Sequence, residues 1–190
     1  MVTGKPGEGL PKGEFLLIRL LLVPMVRTLF TWHIAYWLFR REAAIIIRLA
    51  RTVTPENFQK MTVIDKTFAI EDHSRQYSPS MVFEHLSITG RGVMGVIASL
   101  SAERPFDRPI TIEGVKPHAN KADALQDFET FVDEYGRFFR NLSKKHSRTT
   151  KAHPWFGPFN NFDWNAFMYM HTFIHRRQLE SILKTQKETL

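Results

Sequence analysis

The chain has 190 residues, 43% of them hydrophobic, which is enough for one domain with a sizeable core. It contains no cysteine, which excludes disulfides, thiolate metal sites and a catalytic cysteine, so any metal site must rest on His, Asp or Glu. The net charge of +7 is concentrated in residues 1–51 and comes without a basic run or a nucleic-acid-binding signature, so we expect no nucleic-acid partner.

The N-terminal part of the chain differs in composition from the rest. Residues 1–13 combine glycine and proline with polar side chains and predict a disordered leader, followed by a single domain over 14–190. Residues 15–39 are rich in Leu, Phe and Trp, but their longest charge-free run is well below the roughly 20 apolar residues of a membrane span. We therefore expect no membrane association, a cytoplasmic location and an additional helix that packs on the fold or forms a homodimer contact, with an interfacial membrane helix as the minor alternative.

Two long helices are predicted in the first half of the domain. A helical pattern runs over residues 24–52, with Pro24 suited to a first turn, and a short helix at 15–22 would precede it. Residues 53–77 show no sustained period and predict a long connection. Ser78 and Pro79 are typical of an N-cap and a first turn, and apolar residues then recur at helical spacing as far as residue 100. His85 lies two turns into this second helix and faces inward.

The middle of the chain predicts a long loop and a third helix. Residues 103–119 contain three prolines and a glycine, which indicate a loop that crosses the bundle, with at most a short extended piece at 110–112. Asn120 is expected to cap the third helix, with Asp123 three residues later. A broad apolar face makes this helix a structural element without a chemical role.

The last helix is expected to begin at Asn160 or Asn161, after a second loop over 143–161. With almost no strand signal, the sequence predicts an all-α fold, a four-helix bundle with a long crossover loop and an additional N-terminal helical segment.

The most informative pattern is His171 and His175, which share one face of the last helix and could reach one metal ion. Both rings lie on an apolar stripe, where burying two imidazoles without a partner is costly, whereas a shared metal uses their lone pairs. With His85 they predict a three-histidine site that leaves a position open to water or substrate. Thr172 stands where a zincin peptidase has glutamate, which argues against that class. Histidines that serve packing alone are the alternative.

Two further residues are candidates for a supporting or substrate-contacting role. His153 precedes a proline in the second loop and could line the mouth of the site, or it could be an exposed or a hydrogen-bonding residue. Gln178 lies on nearly the same helix face as the histidine pair, so it could orient water or a ligand, or be a polar residue of the bundle. Glu84 is rotated by about 100° from its neighbour His85 and is not assigned as a general base.

Three segments together resemble the DinB-like superfamily of four-helix bundles. They are Ser78-Pro79 through Glu84-His85-Leu86, His153-Pro154-Trp155-Phe156-Gly157, and residues 171–179. The resemblance covers roughly residues 30–188, and the HPxFG-like loop is closest to a subgroup of unknown function. It implies a divalent metal bound by His85, His171 and His175, and chemistry of the thiol S-transferase or isomerase type with a low-molecular-weight thiol. The long aromatic segment over 15–39 departs from the family's compact pattern.

Three classes of function remain open from the sequence. The first is a metal-dependent enzyme acting on a small-molecule substrate by thiol S-transfer or isomerisation, with hydrolysis as the next choice. The others are a non-catalytic module that binds a metal or a small ligand, and a structural homodimeric bundle. Imidazole ligands suit zinc or nickel first, with iron and copper as further options.

Overall fold

The computed structural model describes residues 7–188, which are mostly helical, as the sequence predicts. In chain order the helices and strands are α1 (Lys12–Leu17), a π-helical turn (Ile18–Leu22), α2 (Val23–Leu29), α3 (Trp32–Ala50), α4 (Pro55–Gln59), a 3-10 turn (Asp72–Gln76), α5 (Pro79–Ser101), a 3-10 turn (Glu113–Val115), α6 (Ala124–Asn141), β1 (Lys151–His153), β2 (Gly157–Phe159) and α7 (Asn161–Glu188).

The N-terminal segment, defined here as residues 12–29, is set at an angle of 112° to α3. The break lies at Phe30 and Thr31, whose backbones are extended, and the Thr31 hydroxyl caps α3 by accepting from the Ile34 N–H at 3.2 Å. The predicted continuous helix over 24–52 is therefore wrong. An N-cap threonine inside an apolar run was the signal for the break, and the apolar periodicity on both sides hid it.

Part of the predicted leader is described by the structure. Residues 1–6 lie outside the described residues, α1 begins at Lys12, and the Gly9 N–H donates to a carboxylate oxygen of Glu71 at 3.1 Å. Within residues 7–188, no single helix is long and apolar enough to cross a membrane, although the bent pair of the N-terminal segment and α3 together reach that length and composition.

The four longest helices pack side by side, α7 against α3 and α5, and α6 against α5 and α3. Helices α5 and α6 approach closely at Gly90, where an added Cβ atom would lie 2.2 Å from the ring of Phe131. Only a glycine fits there, because the ring occupies the space that any other side chain would need. The approach is one of the contacts that set the spacing of α5 and α6.

Two predicted helix starts are confirmed and one is wrong. The Ser78 hydroxyl accepts from the Met81 N–H at 3.1 Å at the start of α5, and Asn160 and Asp163 cap α7 with reciprocal bonds of 2.9 and 3.0 Å. Asn120 does not cap α6, which begins at Ala124 without a side-chain cap. Asn120 has a φ of +46° and its backbone N–H donates to the carboxylate of Glu84, so it belongs to the crossing loop.

The second loop contains a small antiparallel hairpin that the sequence did not predict, in which His153 of β1 faces Gly157 of β2. Gly157 has a φ of +89°, a conformation that favours glycine and lets the chain reverse. Strands of three residues are too short to produce an alternating pattern, which is why the sequence showed only a loop. No strand forms at 110–112, where the chain is irregular before the 3-10 turn Glu113–Val115.

Candidate metal centre

The three predicted histidines meet between α5 and α7. The ring of His85 lies 4.9 Å from that of His171 and 4.5 Å from that of His175, centre to centre, and the two α7 rings are 4.4 Å apart. One ring nitrogen from each residue lies within 4.8 Å of the others, so this set could hold a metal ion.

The spacing of the nitrogens suits a first-row metal ion. The Nε2 atoms of His85 and His171 are 3.1 Å apart. Two nitrogens that bind one tetrahedral zinc ion at the usual bond length are about 3.3 Å apart, so little movement is needed for both to bind. The residues present therefore fit a divalent ion with imidazole ligands.

Two of the three rings are held by hydrogen bonds through the ring nitrogen that faces away from the cluster. Nδ1 of His85 donates to the backbone oxygen of Val115 at 2.6 Å, and Nδ1 of His175 donates to the side-chain oxygen of Gln178 at 2.6 Å. The amide of Gln178 is itself fixed, since its nitrogen donates to the backbone oxygen of Ser74 at 2.6 Å. Because each Nδ1 carries the proton, each Nε2 keeps a lone pair directed at the cluster, as metal-binding histidines require.

A buried polar network joins the two supports. The Ser74 hydroxyl accepts from Lys116 Nζ at 3.0 Å and is hydrogen-bonded to the Tyr77 hydroxyl, and Lys116 forms an ion pair with Glu71. Lys116 follows Val115, and the Ser74 carbonyl holds Gln178, so one network positions both His85 and His175.

No sequence pattern indicated a role for Glu71, Ser74, Val115 or Lys116. All four lie in the connections between the long helices, in or next to short 3-10 turns, where no periodic pattern shows which side chains point inward.

Burial keeps the three imidazoles neutral. It lowers the pKa of His85 to about 4 and those of His171 and His175 well below the ordinary value, and the neighbouring rings lower the latter two further. A metal ion binds the neutral form of histidine, so at pH 7 no ring of the cluster has to lose a positive charge before an ion binds.

His153 is surrounded by aromatic rings and lies on the wall of a cavity next to the three histidines. Its ring stacks on Phe156 at 4.6 Å and lies 4.8 Å from Phe167, while its Nδ1 accepts from the Trp155 N–H at 3.2 Å. Burial lowers the pKa of His153 to about 3. His153 lies outside the three-histidine cluster. The alternative of an exposed residue is wrong, whereas that of a hydrogen-bonding residue agrees with its bond to Trp155.

Gln178 and Glu84 both have defined hydrogen-bond partners in the structure. Gln178 is fully buried, and its side-chain oxygen accepts from the ring of His175 and orients it. The carboxylate of Glu84 accepts backbone N–H groups of residues 118–120 and anchors the crossing loop. Of the remaining histidines, His73 is half-buried, whereas His118 and His146 are exposed.

All three cluster histidines line a cavity of about 640 Å³. Its walls come from α5, α7, the crossing loop, the hairpin and the inner face of the N-terminal segment, and most of the lining side chains are apolar. Arg27 of the N-terminal segment binds both carboxylate oxygens of Asp163 at 2.8 and 2.9 Å, which fixes that segment to the first turn of α7. The three-histidine cluster thus adjoins a space large enough for a small molecule.

Comparison of the chain with protein-family models, with curated proteins and with solved structures finds no match. The resemblance to the DinB-like superfamily therefore stays a prediction, and the geometry of the site has to support any statement about function.

Proposed function

We propose that His85, His171 and His175 bind one divalent metal ion and that the protein is a metal-dependent enzyme with a small-molecule substrate in the adjoining cavity. The observation that carries this is the convergence of three neutral imidazoles on the wall of a cavity of about 640 Å³. When bound, such an ion polarises a carbonyl or lowers the pKa of a thiol or water at an open position. Zinc or nickel is the proposed ion, with iron and copper as alternatives.

The proposed architecture is a DinB-like four-helix bundle with a crossover loop. The packing of α3, α5, α6 and α7 supports it, as does the loop between α5 and α6, which supplies Val115 as the support for His85. The N-terminal segment is an additional element outside this four-helix bundle.

The reaction proposed first is S-transfer or isomerisation that uses a low-molecular-weight thiol, and hydrolysis comes second. Both carboxylates that line the described cavity have cationic partners, Glu71 with Lys116 and Asp163 with Arg27. Neither carboxylate is available as a general base to remove a proton from the substrate. A substrate group that loses its proton easily is therefore favoured. A thiol has a pKa of about 8.5, compared with about 15.7 for water, and needs far less help to lose its proton.

The test is turnover by metal-loaded protein of a panel of thiol-conjugation substrates and a panel of esters. We expect turnover with at least one thiol substrate, its loss in His171→Ala, and its retention in the control His33→Ala, whose side chain is exposed on α3. Equal turnover by wild type and His171→Ala would rule out the proposed site as the catalytic centre.

The second candidate is a module that binds a metal or small ligand without turnover. The absence of an unpaired carboxylate among the described lining residues favours it. Native mass spectrometry separates the two, because a ligand retained through purification, with no turnover on either panel, supports the binding module.

The structural homodimer stays a prediction, as do the cytoplasmic location and the absence of nucleic-acid and membrane partners. The N-terminal segment has an outer face of exposed apolar side chains, namely Leu16, Leu17, Leu20, Leu21, Met25 and Leu29. If this face pairs two copies, light scattering will give twice the chain mass for wild type and one chain mass for Leu20→Asp/Leu21→Asp. A wild-type mass of one chain would contradict the homodimer.

A further inference from the structure

We infer that the cavity beside the three histidines takes a lipophilic anion, a molecule with an extended apolar body and one anionic metal-binding head such as a carboxylate or thiolate. The inference rests on the proposed metal site for the head, and on the cavity alone for the body.

The apolar body follows from the walls. Separate parts of the chain direct apolar side chains at the same space, among them Val26 of the N-terminal segment, Ile110 of the crossing loop, Phe156 of the hairpin and Val96 of α5. A volume of about 640 Å³ lies within the usual range for sites that bury a small molecule. Apolar surface of this extent gains free energy by excluding water, so the body of the ligand must be apolar as well.

The charged side chains around the cavity favour an anionic ligand over a cationic one. Five charged side chains line it within the described residues, namely Glu71, Asp163, Lys116, Arg108 and Arg177. Glu71 and Asp163 are neutralised by their cationic partners Lys116 and Arg27. The remaining two, Arg108 and Arg177, are exposed cations. No unpaired carboxylate of the described lining would repel a negative head.

The position of the negative head follows from the ligand set. Three imidazoles bind a divalent ion as neutral ligands and cancel none of its charge. An uncompensated double charge beside apolar walls is costly, and an anionic group at the open position reduces that cost. The head of the ligand therefore lies at the histidines and the body extends along the apolar walls.

Gly92 offers a way to fill the cavity without disturbing the fold. It lines the cavity seven residues after His85, on the same face of α5, and an added Cβ atom there meets no other atom within 4 Å. The Cβ atom of a larger side chain therefore fits there without displacing its neighbours, and we expect a tryptophan ring at this position to reduce the space for the ligand. Lys184 on α7 is highly exposed and serves as the matched control position.

The experiment is isothermal titration of zinc-loaded protein with dodecanoate, hexanoate and dodecyltrimethylammonium. We expect dodecanoate to bind at least about 100-fold more tightly than hexanoate, because six additional methylenes are buried. We also expect it to bind at least tenfold more tightly than the cationic probe. Gly92→Trp should weaken dodecanoate at least tenfold with unchanged zinc content, and Lys184→Trp should not.

His171→Ala separates the two parts of the inference. It should abolish the preference for the anionic head and keep the preference for the longer chain. If zinc binds but dodecanoate and hexanoate bind equally, or Gly92→Trp has no effect, the inference is wrong and the proposed metal site stands. If the protein binds no zinc but keeps the chain-length preference, the metal site and the anionic head are wrong and the apolar cavity stands.

Discussion

The two sides of the helical core are built differently. Between α3 and α6 the space is filled by aromatic rings, with Phe39 lying 6.2 Å from Phe131 and 5.1 Å from Tyr135, all three fully buried. Between α5 and α7 the same fold holds three histidines beside a cavity of about 640 Å³. Sequences usually fill their cores with apolar side chains, and the side with polar rings beside unfilled space is the one on which we propose that a ligand binds.

Deleting a ring from each side tests this comparison with the largest expected effect. Phe131→Ala should lower the free energy of unfolding by about 3–5 kcal/mol, because a tightly surrounded ring leaves a cavity. Phe167 already borders open space, so Phe167→Ala should cost about 2 kcal/mol less. Urea denaturation of both variants measures the difference, and equal costs would show that the two sides are packed alike.

The buried His153 makes the ligand side sensitive to acid. Its pKa is lowered to about 3 in the folded protein by burial, so the folded form stays neutral where the unfolded chain takes up a proton. The stability that depends on this group is complete above pH 6.5 and is lost as the pH falls toward 3. At about 1.4 kcal/mol per pH unit, one such group costs roughly 3 kcal/mol between pH 7 and 4.5.

His153→Phe keeps an aromatic ring and removes the titration. We expect the metal-free variant to lose about 2–3 kcal/mol less stability than wild type over this pH range, as measured by denaturant unfolding at each pH. Identical pH dependence in the two proteins would show that His153 is not held neutral.

The hydrogen bond from His175 to Gln178 should affect metal affinity. Gln178→Leu removes the acceptor that orients the ring and should weaken zinc binding about 10- to 100-fold, whereas Gln178→Glu retains an acceptor and should bind zinc at least as tightly as the leucine variant. Competition with a chelating dye measures both affinities. If the leucine variant binds zinc as tightly as wild type, the bond to Gln178 plays no part in the site.

Two glycines of α5 test the same difference in packing between the two sides, with smaller expected changes in stability. Gly90→Ala should destabilise the protein by about 1–3 kcal/mol, because the new methyl group meets the buried ring of Phe131. Gly92→Ala has open space around it and should stabilise by about 0.5–1 kcal/mol through the better helix propensity of alanine. Thermal melts of the two variants should shift in opposite directions, and shifts of the same sign would contradict the packing described here.

The sequence predicted those parts of the site that depend on helix periodicity. Four-residue spacing placed His171 and His175 on one face, and the Ser78 cap fixed the register that turns His85 inward. Val115 and Ser74 could not be predicted, because they lie in short 3-10 turns within the connections between the long helices. Distant contacts set the course of these connections, such as the bonds that backbone N–H groups of residues 118–120 donate to Glu84. Long-range packing, which no local pattern encodes, also made the cavity.

Metal content tests the central claim most directly. Elemental analysis of tag-free protein, with zinc titration of the chelator-treated form, should give one divalent ion per chain for wild type and none for His85→Ala. Chelation should lower the melting temperature of wild type alone, because an ion that binds only the folded form stabilises it in proportion to its affinity. Wild-type protein that binds no ion, or an unchanged metal content in His85→Ala, would contradict the three-histidine metal centre.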